Sequence, residues 1–198
     1  MNSMATAVQP TDILQLLPSP GEWTEAEYFP LSDQGRLVEL SEGNIEILPL
    51  PTDFHQLILL RLSLALHLFV STRRLGQVRF APLPVKLWPG KAREPDLMFM
   101  SQAHEDRIGR YWGVPDLAVE ILSEGTEHKD REIKRREYAL AGVGEYWIID
   151  PEAMTVETLR RNGGDDYSRS LLLDRDSILT TSLLPGFTVN LSELFAAA

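Results

Sequence analysis

The sequence contains no cysteine. Disulfides, thiolate nucleophiles and cysteine-ligated zinc or iron–sulfur centres are therefore excluded, so any metal ion must be held by oxygen and imidazole ligands. Hard cations such as Mg²⁺ become the first expectation for a metal site in this chain.

The sequence also lacks a long uninterrupted apolar segment. Its longest apolar stretch, residues 57–70, is interrupted by Arg61, Ser63 and His67, whereas a helix that crosses a bilayer needs about 20 apolar residues in a row. Near the N-terminus, no basic segment is followed by an apolar one, as it would be in a secretory signal. We therefore expect no membrane-spanning helix and a cytoplasmic location.

Positive charge is scarce, because 19 Lys and Arg stand against 29 Asp and Glu, for a net charge of −10. A strongly acidic surface repels the phosphate backbone of nucleic acids. The excess of acid lies in the flanks, since residues 55–149 hold 14 basic and 12 acidic residues. One basic segment without acidic residues contains Arg73, Arg74, Arg79, Lys86, Lys91 and Arg93. This segment is either a solvated face or a strip that contacts the DNA backbone.

The length of 198 residues and the hydrophobic content of 43% are sufficient for one ordinary domain. Residues 1–20 contain three prolines and little periodicity, which predicts a flexible N-terminal arm. Residues 21–198 are predicted to form a single domain.

Apolar periodicity and turn residues predict the elements of that domain. A short helix from Thr24 precedes a hairpin formed by residues 36–40 and 44–48. A long helix then runs from His55 to about Leu75, with Asp53 as the N-cap and Gly76 as the glycine after its C-terminus. Later strands are predicted at residues 77–81, 84–88, 96–100, 116–122 and 145–150, with a second helix at residues 127–141.

A C-terminal hairpin is predicted at residues 155–160 and 167–173, and a short helix at residues 191–195. The order helix, three strands, helix, strand indicates one sheet with helices packed on it, because the second helix can connect two parallel strands. The expected fold class is therefore α/β (α+β), with a mixed central sheet flanked by helices, an extra N-terminal hairpin and a C-terminal hairpin.

A glutamate stands within one apolar strand, Asp-Leu-Ala-Val-Glu-Ile-Leu at residues 116–122. Side chains alternate along a strand, so Leu117, Val119 and Ile121 share one face and Glu120 lies on the other. An ionised carboxylate buried without a partner costs several kcal/mol. Glu120 is therefore exposed on an edge strand, protonated, paired, or bound to a cation.

A cation site needs a second carboxylate, and Asp96 is the natural candidate because it stands at the start of a different strand, after Pro95. Asp116 also follows a proline. Along one strand, however, Asp116 and Glu120 are separated by roughly 13 Å. Oxygen ligands lie at about 2.0–2.6 Å from one cation, so Asp96 is preferred to Asp116.

Pro95-Asp96 and the later strand that carries Glu120 resemble the two halves of the PD-(D/E)XK nuclease motif. A larger set of residues strengthens the resemblance, namely Val119-Glu120-Ile121-Leu122-Ser123, Asp130, Lys134, Tyr138, Ala141-Gly142-Val143, Glu145-Tyr146-Trp147 and Asp150-Pro151. Together they resemble a large bacterial family of restriction-endonuclease-like proteins within that superfamily. The resemblance covers residues 24–195, nearly the whole domain.

The resemblance implies a restriction-endonuclease-like fold and hydrolysis of DNA phosphodiester bonds that depends on Mg²⁺ or Mn²⁺. It implies Asp96 and Glu120 as the metal ligands. Glu39 matches an acidic position of the family, and is either a third ligand, a group that orients water, or a solvent-facing strand residue. A homodimer is expected if both strands of a duplex are cut symmetrically.

The chain departs from the superfamily pattern at Leu122, where a lysine is expected. Asp130, Lys134 and Tyr138 share one face of the second helix, so Lys134 either replaces that lysine or is a surface residue. Tyr138 is interpreted as a residue that holds the helix on the sheet. His55, at the first turn of the long helix, either faces the site or is structural.

These patterns predict carboxylates of Asp96 and Glu120 within about 6 Å of each other. They also predict Asp116 outside the site, Lys134 pointing into the acidic cluster, and the basic segment on the same side of the molecule. One alternative is a catalytically weak or inactive nuclease-fold protein that binds nucleic acid or a protein partner. A metal-dependent hydrolase or transferase of small molecules ranks third, because no Gly-rich phosphate loop or catalytic triad motif occurs.

Overall fold

A computed structural model describes residues 17–196 of the chain. Most of the predicted N-terminal arm, residues 1–16, lies outside the described residues. Four α-helices occur in the described part of the chain: α1 (Glu25–Ser32), α2 (Asp53–Arg73), α3 (Arg135–Ala141) and α4 (Leu191–Leu194). A 3₁₀ helix spans Gln102–Arg107, and a π-helix, Lys129–Lys134, runs directly into α3.

A six-stranded mixed sheet forms the centre of the fold, in the order β10-β9-β8-β7-β6-β3. Its strands pair antiparallel except for β7 and β8, which are parallel. The π-helix and α3 form the connection between this parallel pair, as predicted. The bounds of its strands are β3 (Gly76–Phe80), β6 (Leu97–Ser101), β7 (Leu117–Ile121), β8 (Glu145–Asp150), β9 (Thr155–Arg161) and β10 (Tyr167–Leu173).

A second sheet of four strands, in the order β2-β1-β5-β4, holds the predicted N-terminal hairpin. Its strands are β1 (Val38–Ser41), β2 (Asn44–Ile47), β4 (Val85–Trp88) and β5 (Lys91–Arg93). The sequence did not predict β5, which consists of only three residues. The chain passes from β5 directly to β6, so residues 94–96 connect the two sheets. Two further short strands, β11 (Ile178–Thr180) and β12 (Thr188–Asn190), pair with each other.

The central sheet separates two hydrophobic cores. Leu117, Val119 and Ile121 of β7 face the core built with α2. Ala118 and Leu122 face the other core, which contains Tyr138 and other residues of α3. Glu120 therefore lies on the α3 face, within a central strand, which excludes the interpretation as a solvated residue of an edge strand.

Both ends of α2 differ from the prediction. Thr52 is the N-cap, because its hydroxyl accepts a hydrogen bond from the backbone N–H of His55 at 3.2 Å, and Asp53 lies in the first turn. Arg74 adopts the left-handed conformation that ends the helix, with φ of 54°. Gly76 begins β3 instead, where a Cβ atom would lie 2.0 Å from the carbonyl oxygen of Met100.

By length and composition α2 resembles a membrane span, with a mean hydropathy of 1.5 over an 18-residue window. Core helices of other proteins share these properties. Here one side of α2 packs on the central sheet through buried residues that include Ile58, Leu62 and Leu66. Its opposite side exposes Leu60 and Leu64.

Candidate active site

Asp96 and Glu120 lie at the same end of the central sheet, Asp96 directly before β6 and Glu120 on the adjacent strand β7. The antiparallel register pairs Leu97 with Val119, so the next pair along the ladder is Asp96 and Glu120. Residues directly opposite each other in such a ladder have Cβ atoms about 4.5–5.5 Å apart. One carboxylate oxygen of Asp96 also accepts a hydrogen bond from the backbone N–H of Ile121 at 2.7 Å. The predicted separation of about 6 Å between the two carboxylates stays a prediction.

Lys134 points into this acidic cluster. Its Nζ atom lies 2.9 Å from Glu120, 3.2 Å from Asp130 and 3.3 Å from Glu39. Burial alone would lower the pKa of Lys134, but the three carboxylates raise it well above its usual value. The predicted direction of this side chain is confirmed, and Lys134 is an ammonium at neutral pH.

Glu120 is 4% exposed and accepts a hydrogen bond from the hydroxyl of Tyr138 at 2.7 Å. Burial raises the pKa of Glu120 well above its usual value, although Lys134 lowers it, and the charges of Asp130 and Asp96 raise it further. Tyr138 thus packs between α3 and the sheet, as predicted, and its hydroxyl also holds a carboxylate of the site.

Glu39, on β1, is completely buried and surrounded by cations. It contacts Arg93 at 2.9 Å, Lys129 at 2.6 Å and Lys134 at 3.3 Å, and accepts the backbone N–H of Glu94. Burial would raise the pKa of Glu39, but these cations lower it to about 2. The solvent-facing alternative for Glu39 is wrong, because sheet pairing with β5 encloses it.

His55 lies in the first turn of α2, beside the site. Its Nε2 atom is 3.3 Å from the Oδ2 atom of Asp96. It is 4% exposed, so this imidazole holds the carboxylate of Asp96 from the side opposite to Lys134 and α3. Asp130 lies one turn before Lys134 and is also buried, at 3% exposure. Both accessory residues are therefore at the site, whereas their chemical roles stay predictions.

Glu94 is a site residue that sequence reasoning missed. It is 2% exposed, its Oε1 accepts from the hydroxyl of Ser32 at 3.0 Å, and its Oε2 has no hydrogen-bond partner. Burial, reinforced by the charge of Glu39, raises the pKa of Glu94 to about 7 despite the hydrogen bond from Ser32. In the sequence, only its position directly before Pro95-Asp96 could have indicated that Glu94 belongs to the site.

Asp116 lies outside the site, as predicted. Its carboxylate contacts Nδ1 of His104 at 2.7 Å and the backbone N–H of Ser101 at 2.6 Å. Ser101 ends β6, whereas Asp96 precedes its first residue. The two Pro-Asp pairs therefore serve opposite ends of the central sheet.

The predicted DNA-contacting strip does not lie as one surface beside the site, because two of its residues are buried and two lie at the far end of α2. Lys91 and Arg93 are buried, at 3% and 1% exposure, because the carboxylate of Glu137 pairs with both. Arg73 and Arg74 stand at the C-terminal end of α2, roughly 27 Å along the helix from His55 at 1.5 Å per residue.

The other two residues of the strip are accessible. Lys86 is half-buried and pairs with Glu25 at 2.6 Å. Arg79 is exposed on β3, the edge strand of the central sheet. Contact of Arg79 and Lys86 with DNA stays a prediction, and the six residues do not form one continuous surface beside the site.

A cavity of about 710 Å³ opens at the acidic cluster. Its lining includes the site residues Glu94, Asp96, Glu120, Asp130, Lys134 and His55. In residues 17–196, no three or more acidic, histidine or cysteine side chains form a complete metal cage. Mg²⁺ is usually held by one or two carboxylates, with water and substrate phosphates completing its shell. The hard oxygen donors of Asp96 and Glu120 therefore fit Mg²⁺ or Mn²⁺ better than a metal that needs a full protein cage.

The fold of this chain matches that of a solved structure. A crystal structure described as a putative nuclease of the DUF820 group, from Anabaena variabilis, has a TM-score of 0.72 and 20% sequence identity to this chain. The match covers 87% of this chain and 97% of that one. At this identity the likeness shows the fold, a mixed sheet with flanking helices, which confirms the predicted fold class.

The family model of Uma2, described as a putative restriction endonuclease, matches residues 24–192. The chain belongs to the Uma2 family, and the resemblance to restriction-endonuclease-like proteins is confirmed. A search of curated proteins found no match.

Proposed function

We propose that this chain is an endonuclease that hydrolyses DNA phosphodiester bonds with Mg²⁺ or Mn²⁺. The observation that carries the proposal is the convergence of Asp96, Glu120 and the ammonium of Lys134 at one end of the central sheet. Membership of the Uma2 family supports DNA as the substrate. Carboxylates, a cation and a fixed ammonium are the groups that phosphodiester hydrolysis requires.

Asp96 and Glu120 would hold the cation. When bound, such an ion lowers the pKa of a coordinated water and withdraws charge from the phosphoryl group. His55 and the backbone N–H of Ile121 orient the carboxylate of Asp96, and Tyr138 orients that of Glu120. These contacts fix both carboxylates before substrate arrives, so little reorganisation is needed during the reaction.

Lys134 would stabilise negative charge on the scissile phosphate or orient the attacking water. Its side chain is buried and held by three carboxylates, so its ammonium is fixed in position. Glu39 lies on β1 of the second sheet and holds Lys134 through the ion pair at 3.3 Å. Glu39 is therefore proposed as a positioning residue for Lys134, which leaves Asp96 and Glu120 as the metal ligands.

The proposal is tested by cleavage of supercoiled plasmid DNA with Mg²⁺ or Mn²⁺ and with EDTA. The parent protein is expected to cut only with metal, and Asp96→Asn is expected to lose at least about 100-fold in rate, the scale of a lost transition-state interaction. Asp116→Asn is the matched control, because Asp116 also follows a proline but binds His104 at the opposite end of the sheet. Equal losses in both variants would contradict the assignment.

The rival is a nuclease-fold protein that binds nucleic acid without cutting it. Leu122 in the place of the motif lysine and the incomplete metal cage favour this rival. It predicts DNA binding that persists in EDTA and in Asp96→Asn, with no cleavage under any metal. A homodimer is part of the nuclease proposal only if both strands of a duplex are cut symmetrically.

A further inference from the structure

The cavity at the acidic cluster is lined by charged and by apolar residues. The charged residues include the carboxylates and Lys134, and the apolar ones include Ile47, Leu48, Pro49 and Pro51. These apolar residues belong to one segment, residues 47–51, which has the sequence Ile-Leu-Pro-Leu-Pro and is called the apolar ledge. Leu37 and Leu59 also line the cavity.

The apolar ledge is exposed to an unusual degree for its composition. Ile47, which lines the cavity, is 84% exposed, and Leu50 of the same segment is 82% exposed. Pro49 and Pro51 restrict the backbone of the ledge, so its side chains are presented with little conformational freedom. Exposed apolar surface that borders a polar cavity is typical of a ligand-binding wall.

The cations around the cavity are already engaged with protein carboxylates. Lys134 binds Glu120 and Glu39, and Lys129 lies 2.6 Å from both Glu39 and Glu46. In the part of the chain that the structure describes, no other lysine or arginine lines this cavity. Binding of a continuous duplex depends strongly on phosphate contacts from Lys and Arg, which this cavity provides poorly.

We propose that the apolar ledge is a subsite for an unpaired nucleobase, so that the site accepts single-stranded or locally unpaired DNA in preference to a continuous duplex. This inference rests on the proposed nuclease function and names its substrate class. A base taken out of its stack exposes apolar faces, and proteins commonly hold such a base against apolar side chains in a closed pocket. The cavity volume of about 710 Å³ falls within the range of ligand pockets, roughly 300–1,000 Å³.

The shared cavity also relates the base to the acidic cluster. A base seated on Ile47 and Leu48 would have its phosphate near Asp96 and Glu120, because all four residues line the same cavity. In a paired duplex the base faces are covered by stacking neighbours, so the ledge would gain no contact. One protein copy is sufficient for a cut in a single strand, and this inference does not require a dimer.

The test compares a labelled single-stranded oligonucleotide with the same sequence in a duplex, in the parent and in Ile47→Ser and Ile47→Phe. Cleavage is measured with Mg²⁺ or Mn²⁺, and binding by fluorescence anisotropy with Ca²⁺ as the cation. Ile178→Ser is the matched control, because Ile178 is an exposed isoleucine at 59% on β11, away from the cavity lining.

We expect faster cleavage of the single strand than of the duplex, and roughly tenfold weaker single-strand binding by Ile47→Ser, with Ile47→Phe equal to or tighter than the parent. Duplex binding by the Ile47 variants should equal that of the parent. The control Ile178→Ser should equal the parent in the binding of both substrates. Equal cleavage of both substrates, or equal losses for both in Ile47→Ser, would overturn the subsite and leave the nuclease proposal standing. If no substrate is cut, the nuclease proposal fails, and anisotropy alone decides the subsite: a selective loss in Ile47→Ser supports it and no loss overturns it.

Discussion

The ammonium nitrogen of Lys134 lies 2.9 Å from a carboxylate oxygen of Glu120. The two residues come from a helix and from a central strand, and each is about 4% exposed. Leu122, at the position of the motif lysine, packs with Tyr138 and Ala139 in the core beneath α3. The lysine on the helix therefore reaches the carboxylates, and no charge is placed in the core at position 122.

Lys134→Met should abolish metal-dependent cleavage, because no other ammonium touches Glu120 in the described residues. The variant should also lose stability, by about 3 kcal/mol, since removal of one partner leaves buried carboxylates without their counter-ion. The 4% exposure of Lys134 excludes the alternative that it is a surface residue. Plasmid cleavage and urea unfolding measure the two effects. Arg136→Met, an exposed cation of the same helix, is the control and should change neither.

Measurements of metal binding should distinguish the proposed metal ligands from Lys134. Mn²⁺ at 100 times its dissociation constant would stabilise the parent by about 2.7 kcal/mol in thermal or urea unfolding. Asp96→Asn should lose this stabilisation, whereas Lys134→Met should keep it, because both proposed carboxylate ligands remain and Lys134 is not a ligand. Loss of Mn²⁺ stabilisation in Lys134→Met alone would reverse the assigned roles.

The contribution of Glu137 to stability should decrease in acid. Its carboxylate contacts Arg93 at 2.7 Å and Lys91 at 2.8 Å. Burial acts to raise the pKa of Glu137, but Arg93 and Lys91 lower it below the usual value of a glutamate. A carboxyl whose pKa is lower in the folded state stabilises the protein above the unfolded pKa, and this stability is lost as pH falls through the folded pKa.

The difference in unfolding free energy between the parent and Glu137→Gln should therefore be largest near neutral pH and shrink as pH falls below 4.5. Urea unfolding at several pH values measures it. Glu132→Gln, at an exposed position of the same helical segment, should follow the parent throughout. A difference that grows in acid would have the wrong sign for this ion pair.

Arg93 and Arg74 should behave as residues of different kinds despite their shared place in the basic segment. Arg93 is buried between Glu39 and Glu137, so Arg93→Met should cost about 3–5 kcal/mol. Arg74→Gln should stay within about 0.5 kcal/mol of the parent. Arg74→Gln should also leave the salt dependence of DNA binding unchanged, because Arg74 lies at the far end of α2. A weaker salt dependence of DNA binding in Arg74→Gln would instead support the prediction that Arg74 contacts the DNA backbone.

Local sequence patterns predicted much of the fold. Alternation of apolar residues predicted the strands of the central sheet, and the glycine after Ala141 predicted the end of α3, where Gly142 has φ of 102°. The i, i+4, i+8 spacing of Asp130, Lys134 and Tyr138 predicted that all three would face the site. These signals depend on neighbours in the chain, which a sequence displays directly.

The tertiary structure decided which charges are partnered. From the sequence, Arg93 and Lys91 were interpreted as solvated or DNA-binding residues. In the structure both donate hydrogen bonds to Glu137, more than 40 positions later in the chain. Glu39 was ambiguous in sequence, but pairing of β1 with β5 brings Arg93 to it, and the packed π-helix brings Lys129 and Lys134. Ion pairs act over a few ångströms in space, whatever the separation along the chain. The sequence by itself therefore determined the elements and the candidate carboxylates, and only the packing of two sheets and a helix decided which cations those carboxylates hold.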